Sequence, residues 1–135
     1  MKVDLSAEIF DRDGGRIYVP NTEPIPPADR HKVTPERYDK EPVQITAAKA
    51  ICFALDQNPN RDKPLGLREM YDRVELADRI YRSPDGVEMT TRESETCQAA
   101  MIAIGYTPYV VARITEIFDA AIAAEKDKKV RSIAN

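Results

Sequence analysis

Apolar residues along this chain follow two different rules. From Gln44 onward they recur at three- and four-residue steps, and before Gln44 they do not. Ile45, Ala48, Ile51, Cys52 and Leu55 make the first stripe. That spacing predicts an amphipathic helix with Thr46 as N-cap, ended by Asn58-Pro59-Asn60. Leu67, Met70, Tyr71, Val74, Ala77, Ile80 and Tyr81 predict a second helix over 65–81, with Arg68, Asp72, Glu75 and Arg79 on its far side. Ser83-Pro84-Asp85-Gly86 reads as a turn and Val87-Glu88-Met89 as a brief extended piece. Thr90 and Glu93 stand at the spacing of a capping box and open a third helix. Its face is Cys97, Ala100, Met101 and Ile104, and Gly105 falls where a C′ glycine ends a helix. Thr107-Pro108 opens the fourth, which carries Val110, Val111, Ile114, Ile117, Phe118, Ala121 and Ile122 and runs to about Lys126. Short connections between four such helices imply a small bundle.

Upstream the pattern predicts extended chain. Val3 to Val19 reads as a hairpin turned at Asp11-Arg12-Asp13-Gly14-Gly15, where Asp-Gly and Gly-Gly supply positive φ. A lone two-stranded ribbon is marginal in water and must dock on something. Pro20 to Pro42 holds six prolines, and its larger apolar residues Ile25, Val33 and Tyr38 have no period. Proline removes backbone donors, so neither a helix nor a central strand is available there. The expected fold is therefore mainly α: an N-terminal β-hairpin (1–19), a proline-rich extended arm (20–43) and a domain of about four helices (44–135).

Composition adds limits. The 135 residues suit one domain, and 42% hydrophobic with 32% charged residues is ordinary for a globular chain. Trp is absent, so Ile, Val, Leu, Ala and Met must fill the core. A net charge of −3 lowers the expectation of a nucleic-acid binder. Cys52 and Cys97 each sit in a helical stripe and read as small buried hydrophobes. With no apolar leader and no run near the about 18 apolar residues of a membrane span, the expected location is the cytoplasm and no membrane partner is expected.

The chemistry-bearing residues are few. His31, the one histidine, lies in the proline-rich arm, which offers no rigid pocket for acid–base work. Two cysteines and one histidine do not make a zinc cluster, so no metal ligand is expected. Asp11-Arg12-Asp13-Gly14 resembles the start of a calcium loop, but Gly15-Arg16-Ile17 follow where oxygen ligands should be, and a turn is the better account. Phosphate-cradling glycine motifs and a nucleophile elbow do not occur. No cofactor is expected. Helix three, the Gly105-Tyr106-Thr107 turn and helix four could form a helix-turn-helix, but of Pro108 to Arg113 only Arg113 is a strong base reader. Lys126, Lys128, Lys129 and Arg131 crowd the C-terminal end, where cations complement a helix dipole.

The opening Met1-Lys2-Val3-Asp4-Leu5-Ser6-Ala7-Glu8-Ile9-Phe10-Asp11 and the later Ala103-Ile104-Gly105-Tyr106-Thr107-Pro108-Tyr109-Val110-Val111 are similar to passages in small proteins of tailed phages and prophages. That resemblance implies a short chain with a compact helical segment and an accessory or virion-assembly role, in the host cytoplasm or the virion. The leading expectation is a non-enzymatic protein that binds another protein, phage or host, through Ile17, Tyr18, Ile25, Arg30, His31 and Tyr38. The alternative is a nucleic-acid-binding regulator using helices 91–104 and 108–126 with Arg113, Lys126, Lys128, Lys129 and Arg131. A third reading is an enzyme completed by pieces of another subunit. The broad apolar faces of helices two and four leave room for a homo-oligomer.

Overall fold

The order of elements follows from where backbone hydrogen bonds can be closed. In the computed structural model, residues 1–21, 40–58 and 63–134 are described, with the backbone alone at 18–21, 40–43 and 132–134. Among the described residues, four strands and four helices succeed one another: β1 (Lys2–Val3), β2 (Tyr18–Asn21), β3 (Lys40–Gln44), α1 (Ala47–Leu55), α2 (Leu67–Arg82), β4 (Val87–Glu88), α3 (Thr91–Ala103) and α4 (Pro108–Ala134). The fold is mainly helical with antiparallel pairing on its N-terminal side, as the pattern predicts.

The pairing is shared out differently from the simple hairpin read over 1–19. Asp11 to Gly15 does form the tight turn: Gly14 has φ +82, Asp11 N–H donates to Gly15 O, and Phe10 bridges Arg16. Beyond that bridge each arm leaves for another partner. β2 pairs with β3, with Tyr18 opposite Gln44 and Val19 opposite Val43. The register breaks between Val19 and Asn21, where Pro20 has no N–H to give. These strands cross the expected boundaries at 19/20 and 43/44, so the hairpin and the ends of the proline-rich stretch share one ladder. A two-stranded ribbon has only edge strands, which is why Pro20 and Pro42 are tolerated in it.

Residues 1–10 run as a strap across the helical block rather than as a long strand. β1 pairs with β4, and Leu5 N–H donates to Pro84 O. Val3, Leu5 and Ile9 are buried in the core. The strap also caps α1, whose first N–H groups have no partner within the helix. Ala47 donates to Ala7 O, Ala48 to Leu5 O, and Lys49 to the Thr46 side chain, which makes Thr46 the N-cap expected.

α1 is the centre of the block. Ala47, Ala50 and Ala54 widen its buried arc beyond the predicted stripe, and their small side chains let α2 and α3 pack on it. The α3–α4 corner also follows the sequence. Thr90 and Glu93 form both bonds of the capping box, and Gly105, at φ +83, closes α3. There Tyr106 N–H donates to Met101 O and Gly105 N–H to Ile102 O, the paired bonds of a Schellman end. α4 buries Ile114 and Phe118. It continues to Ala134 rather than stopping near Lys126, because neither Gly nor Pro follows to end it.

α2 departs most from expectation. Ala77 and Ile80 of its predicted stripe are buried, joined by Leu76, but Leu67, Met70, Tyr71, Val74 and Tyr81 face solvent. A short α1 covers only one side of a helix nearly twice its length.

Candidate functional site

A concavity lies where the Asp11–Asp13 turn meets α1 and the α3–α4 corner. It is a groove of about 790 Å³, within the range of ligand and peptide sites. Ile17 and Ile45 form part of its wall, Phe53 projects from α1, and Tyr106, Tyr109 and Val110 come from the corner and the first turns of α4. Each is placed by a feature already described. The Asp11 side chain accepts from the N–H groups of Asp13 and Gly15, which fixes the turn beside the groove. Ile45 N–H donates to Ile17 O, which fixes the root of the ribbon. Tyr106 follows the positive-φ glycine, and its hydroxyl donates to Ala50 O at 2.6 Å.

The rim carries Arg12 between the carboxylates of Asp11 and Asp13, with Tyr109 beside them. The guanidinium of Arg12 lies 5.1 Å from the centroid of the Tyr109 ring and that of Arg113 lies 4.9 Å from it. Both distances are within cation–π range. Arg113 also pairs with Glu116 at 3.2 Å.

The acid–base groups near the core are set for structure. Burial, then Asp56 and Asp78, push the Cys52 thiol up to about 11, and its Sγ sits 3.5 Å from Ala77 O. Burial pushes Cys97 up to about 12 and Tyr106 to about 12. At neutral pH all three are protonated, which suits packing and not nucleophilic attack. Asp56 is raised by burial and by Asp78. On the other side of the block Arg79 joins α2 to α3, with Glu75 at 2.6 Å and Glu93 at 3.0 Å. Glu93 is opposed by burial, but the Thr90 N–H and Arg79 hold its carboxyl below the usual range. Among the described residues, no three His, Cys, Asp or Glu side chains are grouped to hold a metal ion, and no helix is long and apolar enough to cross a membrane.

Of the residues expected to bind a partner, Ile17 lines the groove. Tyr18 is described in its backbone only, within β2, while Ile25, Arg30, His31 and Tyr38 lie outside the described residues. Of the residues assigned to nucleic acid, Arg113 stacks on Tyr109, which lines the groove. Lys126, Lys128, Lys129 and Arg131 are exposed on the last turns of α4, the first of them roughly 20 Å further along the helix. At about 100° per residue these four point to different sides of α4, with Asp127 between them, and make no single basic face. Phe53, Tyr106 and Tyr109 were not singled out from the sequence. The available signal was Phe53, a large aromatic standing well off the apolar stripe of its own helix.

The chain matches no protein-family model, no curated protein and no solved structure. Its functional reading therefore rests on its own geometry.

Proposed function

We propose that this is a non-enzymatic interaction protein whose groove at the start of α4 receives a short segment of another protein. The observation that carries the reading is the groove itself: three aromatic rings and two isoleucines line it, with Arg12 and Arg113 stacked at its edge. The apolar floor fits an apolar or aromatic anchor side chain, and the rim around it carries charge of both signs, Arg12 beside Asp11 and Asp13. Aromatic and arginine side chains in a concave, desolvated patch are the residues that dominate binding energy at protein interfaces. The protonated thiols and the hydrogen-bonded Tyr106 support packing roles rather than catalysis. The similarity of the chain's opening and of its Gly105–Val111 stretch to tailed-phage proteins supports an accessory or virion-assembly role, in the host cytoplasm or in the virion. A nucleic-acid regulator is the weaker reading, because the basic residues of α4 do not share a face.

The test is affinity purification from the native source with the wild-type chain and a Phe53→Ser/Tyr109→Ala variant side by side. Both residues are at the surface or half-buried, and circular dichroism checks that the fold is kept. The expected result is a protein retained by wild type and lost from the variant. Identical recovery with both would overturn the groove as the binding site.

A further inference from the structure

We draw no further inference here: the strongest candidate, the exposed apolar face of α2 formed by Leu67, Met70, Tyr71, Val74 and Tyr81, carries none because nothing in the structure shows what covers it.

Discussion

α1 has nine residues and hides six of them; α2 has sixteen and hides three. Both helices carry apolar residues at three- and four-residue steps, so the periodicity that predicts them is the same. The difference lies in what surrounds them. α1 lies between the strap of residues 1–10, α2 and α3, and its alanines bring those elements close. α2 meets α1 on one side and β4 at its end, and is otherwise held by polar contacts: Arg79 with Glu93, Arg79 Nη1 with Glu88 O at 2.9 Å, and Arg73 with Gln57 O at 3.3 Å. A hydrophobic stripe states that a helix can bury a face, while its neighbours decide how much of that face is covered. α1 is the helix that makes the core, and α2 is the helix that offers a surface.

The largest test of that contrast is at α1. Ile51 is fully buried, and Ile51→Ala is expected to cost about 2–5 kcal/mol through lost burial and the cavity left behind. Urea unfolding monitored by circular dichroism measures it. A cost under about 1 kcal/mol would mean that the core closes around the gap and that α1 is not its centre.

A smaller effect tests the polar tether of α2. Glu93 bonds both the Thr90 N–H, at 2.9 Å, and Arg79. Glu93→Ala should cost about 1 kcal/mol at neutral pH, the usual size of a lost cap. The sign with pH follows from the depressed carboxyl. Its stabilisation is present above the ordinary value of 4.5 and is lost as pH falls through the lower folded value. Wild type and variant should therefore converge under acid. A gap that stays constant down to acid unfolding would show that the carboxylate's charge plays no part.

The sequence was most legible where structure is local. Thr46, the Thr90–Glu93 box and Gly105 act through bonds within a few residues of themselves, and each was readable. The partners of the extended segments were not. β1 finds β4 some 85 residues away and β2 finds β3 across the proline-rich stretch, and nothing in Val3–Val19 alone specifies either. The groove was hidden for the same reason. Ile17 was picked out, but Phe53, Tyr106 and Tyr109 meet it only because a turn, α1 and a helix corner converge.

Cys52 reports on the α1–α2 seam at a finer level. Its thiol faces Ala77 O of α2, and burial holds it at about 11. The stabilisation from keeping it protonated is complete below its ordinary value of 9.0 and is lost as pH rises through about 11. Alkylation at pH 8 should be slow in the wild type, and Cys52 should label several-fold faster once Glu93→Ala loosens α2. Cys97 is fully buried within α3 and should change less. Equal acceleration at both thiols would mean that the block opens as a whole and that α2 has no separate tether.

The smallest expected effect decides between the two helices most directly. Tyr71→Gln removes a large aromatic from the outer face of α2 and keeps a good helix former. Because the side chain is largely exposed, the chain should lose no more than about 0.5 kcal/mol in urea unfolding. A loss of 2 kcal/mol or more, the range of a truncated core residue, would mean that this face is covered by the chain itself. The contrast with α1, whose apolar face is hidden by its neighbours, would then fail.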